Sequence, residues 1–227
     1  MQGIFITGAT GYIGKRLIWT LVKEGNYPIR ALVREASVHK LPPGCEAVIG
    51  DALDSATYAH RLKPDDIFVH LVGVAHPSPA KKNQFRSIDL GSVKEAIKAA
   101  RDAGIQHFVY VSVSQYPSSI MREYQLVRAE AELLLARSGM RCSFVRPWYV
   151  LGPGHWWPVL LLPFYYLLSL IPSCQEKMRQ QGLVTLHQMI QTLLFAIKNP
   201  PLGQVACYNV PDIKHIEAMT VDLSPVM

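Results

Sequence analysis

Cysteine is scarce in this chain. Cys45, Cys142, Cys174 and Cys207 lie far apart and form no C-x-x-C or Cys/His ligand spacing, so neither a disulfide framework nor a metal site is expected. Charge is limited too: charged residues make up 18% of the sequence against 49% hydrophobic, the balance of a globular chain rather than a disordered one. The formal net charge is +6, yet no dense Lys/Arg run is interleaved with aromatics, which argues against a nucleic-acid partner. A mild positive excess suits a polyanionic small ligand. No transmembrane segment is expected, because the apolar run 158–172 has fifteen residues broken by Pro163 and a bilayer needs about 20. Internal repeats and low-complexity linkers are lacking. The first strand starts almost at Met1 and leaves no room for a leader, so the expected compartment is the cytoplasm.

What is present begins at once. The apolar strand Ile4-Phe5-Ile6-Thr7 runs into Gly8-Ala9-Thr10-Gly11-Tyr12-Ile13-Gly14, then into a helix with Ile13, Leu17, Ile18, Leu21 and Val22 on one face, ended by Gly25-Asn26. Ile29, Ala31, Leu32 and Val33 read as a second buried strand. In a phosphate-binding turn of this kind Gly8 makes the turn, Gly11 lets the phosphates approach, and Gly14 lets the helix pack on strand one. The helix then points its positive end at the anion. The spacing is G-x-x-G-x-x-G, a variant of the dinucleotide fingerprint G-x-G-x-x-G. At the end of strand two, where an NAD site places an acidic residue, stands Arg34 with Arg30 nearby. A guanidinium fork suits a 2′-phosphate, favouring NADP over NAD; the alternative for Arg34 is a solvated surface cation.

The same grammar repeats. A helix over 55–62, a turn at Pro64-Asp65-Asp66, a continuous apolar strand 67–73, a helix from Phe85 to Gly104, a strand 108–112, a helix over 123–138 and a strand 142–146 follow in order. Thr185-Leu186-His187-Gln188 reads as a capping box opening a helix to about Ala196, and 204–210 as a late strand. Alternation of this kind implies an α/β doubly wound parallel sheet, with ligands at the carboxyl ends of the strands. The expected organisation is a single domain over 1–227, in which 148–200 forms a small C-terminal helical lobe.

These residues resemble the extended and atypical short-chain dehydrogenase/reductase superfamily, in particular its NmrA-like and complex-I-accessory-subunit-like branches. The likeness rests on the glycine turn, Leu32-Val33-Arg34, Gly50-Asp51, Tyr110-Val111-Ser112-Val113-Ser114, Tyr124-x-x-x-Arg128, and Arg146-Pro147 with Gly152-Pro153-Gly154. It implies a cofactor contact set of Gly8, Thr10, Gly11, Tyr12, Ile13, Gly14, Arg34, Asp51, Ala52, Leu71, Val72, Gly73, Val111, Ser112 and Pro147. Asp51 would meet the adenine amino group, Leu71 to Gly73 would line the adenosine, and Val111 to Ser114 with Pro147 to Val150 would flank the nicotinamide. From the residues alone, Asp51 equally caps the helix that follows.

By the same resemblance Tyr124 is the proton donor or acceptor, the residue four places on lowers its pKa, and a hydroxyl, Ser114 ahead of Ser112, orients the substrate carbonyl. A phenol titrates near pH 10, so neutral-pH chemistry wants a cation beside it. The superfamily's Lys is here Arg128, which keeps the charge but directs its donors differently. Only nine residues separate Ser114 from Tyr124, which removes most of the loop that closes over substrate in larger members. Arg128 also stands four residues before Glu132, the spacing of a surface ion pair. The expectation is an NADP-dependent oxidoreductase acting on a carbonyl, imine or enone. The alternatives are a non-catalytic NADP(H)-binding regulator or accessory subunit and, more weakly, a sugar-nucleotide epimerase or dehydratase. The aromatic stretch Trp148, Tyr149, His155, Trp156, Trp157 and the apolar run offer a lobe core, a wall for an apolar small-molecule substrate, a homodimer face or a peripheral membrane patch. Monomer and homodimer both stay open.

Overall fold

The computed structural model describes residues 2–153 and 172–221. Seven parallel strands form one sheet in the order β3-β2-β1-β4-β5-β6-β9, the doubly wound arrangement expected. They are β1 (Ile4–Thr7), β2 (Ile29–Val33), β3 (Glu46–Ile49), β4 (Ile67–His70), β5 (His107–Val111), β6 (Arg141–Val145) and β9 (Val205–Tyr208). The helices named here are α1 (Tyr12–Glu24), α2 (Gly91–Asp102), α3 (Arg122–Ala136), α4 (Pro172–Gln180), α5 (Leu186–Lys198) and α6 (Val210–Val221). A two-stranded parallel pair, β7 (Tyr149–Leu151) with β8 (Leu183–Thr185), lies beyond the main sheet.

The period-2 alternation of buried residues sorts the core into two layers. On one face Phe5, Phe68 and Phe108 lie in register across β1, β4 and β5, with ring centroids 5.4 and 4.8 Å apart. Val93, Ala96, Val127 and Ala131 of α2 and α3 cover them. On the other face Ile4, Ile6, Val69 and Val109 meet Leu17 and Ile18 of α1 and Met189, Ile190 and Leu193 of α5. Each fully buried side chain of this size stabilises the fold by about 1.5–3 kcal/mol. The Thr185/Gln188 capping box that opens α5 is formed in both directions.

Three elements differ from expectation. The helix over 55–62 is instead two 3₁₀ turns, Ser55–Thr57 and Ala59–Arg61: the Thr57 hydroxyl donates to Asp54 O and the Asp54 carboxylate accepts from Ala56 N, local bonds that compete with the α pattern. β4 stops at His70 rather than Gly73, because β1 ends at Thr7 and Leu71 N donates to Thr7 O as the last bond available. The helix from Phe85 opens with a π-helical turn, Phe85–Leu90, that buries Phe85, Asp89 and Leu90 together. Among the described residues no helix is long and apolar enough to cross a membrane. His155, Trp156, Trp157 and the apolar run up to Ile171 lie outside the described residues.

Candidate active site

A cleft of about 710 Å³ opens at the carboxyl ends of β1, β4, β5 and β6. Its floor is the glycine turn. Gly8 sits at φ +74°, and a Cβ there would meet the backbone of Leu71 at 2.7 Å and of Val72 at 2.9 Å; backbone cannot move aside as a flexible side chain can. A Cβ on Gly14 would run into the carbonyls of Gly8 and Ala9. Gly11 is the N-cap of α1, no side chain caps that helix, and its first turn holds no acidic residue. Amide donors and the positive helix end therefore face the cleft, an arrangement that fits a pyrophosphate.

The cleft gathers Gly8, Gly11, Tyr12, Ile13, Gly14, Leu71, Gly73, Val111, Ser112, Tyr124, Arg128 and Pro147 from the expected set. Thr10, Arg34, Asp51, Ala52, Val72 and Ser114 do not line it. Arg34 is exposed just past β2, and Asp51 is exposed just past β3. The Asp51 carboxylate accepts from Leu53 N at 2.9 Å, while Asp54 rather than Asp51 caps the 3₁₀ turn that follows. Arg30 corrects the expectation of a second phosphate ligand: it is buried at the opposite end of β2, ion-paired to Asp66 and donating to the Arg61 carbonyl. Ser114 is likewise engaged elsewhere, its hydroxyl donating to Gln180 O at 2.8 Å and so tying the β5 loop to α4. The Ser112 hydroxyl, by contrast, is buried in the cleft wall with no hydrogen-bond partner among the described residues.

Tyr124 and Arg128 share the inner face of α3 as their spacing requires, with the guanidinium 5.1 Å from the Tyr124 ring centre and 5.5 Å from that of Tyr110. Arg128 Nη2 pairs with Asp89 Oδ1 at 2.5 Å, and Nη1 donates to Tyr110 Oη at 2.9 Å and to Val111 O at 3.0 Å. The alternative for Arg128, a surface pair with Glu132, does not form. Glu132 binds Arg146 in a fork, at 3.0 Å and 2.6 Å. Gly73 is required by this arrangement, since a Cβ there would overlap Arg128 Nη2. Burial raises the Tyr124 pKa above that of a free phenol; Arg128 pulls it down and Asp89 pushes it up. Burial also raises Asp89, against the pull of Arg128. A guanidinium at contact distance keeps that carboxylate ionised at neutral pH, because an unpaired buried cation costs more than the pair.

Behind the cleft His70 bonds Thr7 Oγ1 through Nδ1 at 2.8 Å and Ser92 Oγ through Nε2 at 3.2 Å. Burial lowers its pKa to about 3, with Arg128 adding to the effect. Neither Asp89 nor His70 was singled out from the sequence. A signal for Asp89 exists: it falls on the same helical stripe as Phe85, Val93, Ala96 and Ala100, and a carboxylate on a buried stripe demands a cation.

Comparison with known proteins agrees with this geometry. A family model described as NAD(P)H-binding matches residues 8–152. The UDP-glucose 4-epimerase of Vibrio cholerae is 24% identical over 88% of this chain and 67% of its own length. A ceramide reductase of Caulobacter vibrioides is 25% identical over 91% of this chain and 64% of its own. The chain thus spans about two thirds of the length of these curated relatives. Among solved structures, a UDP-galactose 4-epimerase superposes with a TM-score of 0.66 at 20% identity, over 99% of this chain and 84% of that one. A short-chain dehydrogenase/reductase superfamily protein of Agrobacterium tumefaciens with bound NAD gives 0.65 at 16%, over 92% and 76%. The chain belongs to the NAD(P)H-binding family, within the extended short-chain dehydrogenase/reductase superfamily.

Proposed function

We propose that the protein is an NADP-dependent reductase of a carbonyl, imine or enone. The observation that carries this reading is that Tyr124 and Ser112 line the same cleft as the glycine turn. The bound nicotinamide supplies the hydride. Tyr124, whose phenol burial keeps protonated, donates the proton to the oxygen or nitrogen that gains the electron pair. Ser112 carries the free hydroxyl that orients the acceptor, in place of Ser114. Arg128 holds the nearby charge, and its Nε, buried without a partner among the described residues, is the donor it has left for a ligand. Exposed Arg34 supports a 2′-phosphate by position and charge.

The test is NADPH oxidation across a carbonyl panel. Tyr124→Phe is expected to lower kcat by about 100-fold or more, the usual share of general acid catalysis, with NADPH affinity unchanged. Turnover of Tyr124→Phe at the wild-type rate would end the catalytic role of this residue. A second reading, an NADP(H)-binding regulator, draws support from the engagement of Arg128 by Asp89; NADPH binding with no turnover of any acceptor would favour it. The weaker epimerase alternative draws on the names of the relatives, and interconversion of UDP-glucose and UDP-galactose would establish it.

A further inference from the structure

Among the described residues that line the cleft, Arg128 alone carries a permanent charge. That charge is met by a carboxylate that is itself wholly buried, Asp89, on the π-helical turn before α2. The rest of the cleft lining is largely apolar or aromatic, including Val74, Pro77, Met121, Trp148 and Val150, with Tyr12, His76, Ser112 and Tyr149 as its other polar side chains. A ligand that brought a carboxylate or a diphosphate beside Arg128 would lose its water and find no permanent cation left uncompensated among the described lining residues, a large penalty. A neutral carbonyl compound meets apolar surface and the polar groups of Tyr124, Ser112 and Arg128 Nε.

We infer that the substrate taken beside Tyr124 is an uncharged, apolar carbonyl compound, and that Asp89 enforces this by cancelling the charge of Arg128. The inference rests on the reductase reading of the same cleft and narrows its substrate class. Asp89 is a positioning residue: it selects substrate through Arg128 without touching it.

The experiment compares 2-decanone with 9-oxodecanoate, which has the same chain and ketone position but carries a carboxylate, and with UDP-glucose. Turnover of the two ketones is followed with NADPH, and binding of all three compounds to the NADP⁺ complex is followed in parallel by titration calorimetry. Wild-type protein is expected to favour 2-decanone in kcat/KM by about 100-fold or more over its carboxylated twin, since a desolvated unpaired carboxylate costs several kcal/mol. Asp89→Asn, which keeps the side-chain shape and removes the charge, is expected to narrow that ratio by about tenfold, through one newly uncompensated guanidinium. A role limited to holding the fold would lower both rates and leave the ratio alone. Equal or better turnover of 9-oxodecanoate overturns the substrate class while the reductase reading stands, and tighter binding of UDP-glucose than of 2-decanone overturns the class as well. Preferential binding of 2-decanone without turnover keeps the class and overturns the reductase reading. Binding of none of the three overturns the inference. If Asp89→Asn fails to fold, the wild-type comparison still decides the substrate class, and Arg128→Met, which removes the same cation, must then keep the preference for 2-decanone for the role given to Asp89 to hold.

Discussion

The Asp89–Arg128 pair makes a quantitative prediction about the fold. Asp89 is 0% exposed and Arg128 is 4% exposed, so water screens neither, and removing one partner strands the other. Arg128→Met leaves a buried carboxylate and takes the donor from Tyr110 Oη and Val111 O. Asp89→Leu leaves a buried guanidinium. Breaking such a pair on either side costs about 3–5 kcal/mol, a large part of the stability of a typical domain. The double variant removes both charges at similar volume, and its cost should fall to about 1–3 kcal/mol, for the lost hydrogen bonds and imperfect packing. The two effects are then non-additive by at least about 3 kcal/mol, far beyond the few tenths that separate independent sites. Urea unfolding of the four proteins measures this, provided the slopes agree. Additive costs would refute the pair as drawn, and with it the account of how Arg128 is neutralised. The same variants read Tyr124: Asp89 raises its pKa, so in Asp89→Leu the phenol should titrate lower than in wild type.

Three further outcomes are expected. Gly8→Ala should cost about 2–4 kcal/mol, since it combines a left-handed backbone with a methyl driven into the backbone of Leu71 and Val72, and should abolish NADPH binding by calorimetry; a stable variant that binds normally would contradict the turn geometry. Burial holds His70 near 3 and His107 near 4 in the folded state, against 6.5 unfolded. The unfolded chain therefore binds protons that the folded one refuses, and stability falls as pH drops below 6.5, by about 2 kcal/mol per histidine at pH 5; an unchanged urea midpoint between pH 7.5 and 5.0 would rule this out. Arg34→Asp should reduce or reverse a preference for NADPH over NADH measured by binding, and no change would remove Arg34 from the cofactor site.

The glycine turn, the alternation of strands and helices and the capping box of α5 were legible because each is written in residues adjacent in sequence, where turn chemistry and periodicity act. The misreadings share another origin. Arg30 and Arg34 look like neighbours in the text, but a strand rises about 3.3 Å per residue, which sets them about 13 Å apart; Arg30 belongs to the amino end of β2 and to Asp66. The resemblance puts Ser114 ahead of Ser112, and what engages Ser114 elsewhere is Gln180, a partner 66 positions on. The sequence offers Glu132 as the alternative partner of Arg128 because i, i+4 pairing is local. The carboxylate that meets it lies 39 residues earlier on another helix, and only the packing of α3 against the π-helical turn brings the two together. The π turn itself has no signature in apolar periodicity, yet it carries Asp89 into the interior.

The polar interior behind the cleft is joined without leaving net charge. Ser92 Oγ donates to Asp89 O at 3.1 Å, so its lone pair is what His70 Nε2 meets, which makes Nε2 the protonated nitrogen of a neutral ring. Nδ1 then accepts from Thr7 Oγ1, the residue before Gly8. A continuous path of hydrogen bonds thus runs from the strand that presents the glycine turn, through His70 and Ser92, to the turn that carries Asp89. A protonated His70 would donate from Nδ1 as well, reversing the Thr7 contact so that Oγ1 accepts, and would set a second cation near Arg128. The low pKa of His70 therefore serves the same end as the Asp89–Arg128 pair: both leave the back of the cleft polar and electrically balanced, the condition under which the Tyr124 phenol keeps its proton until an acceptor takes it.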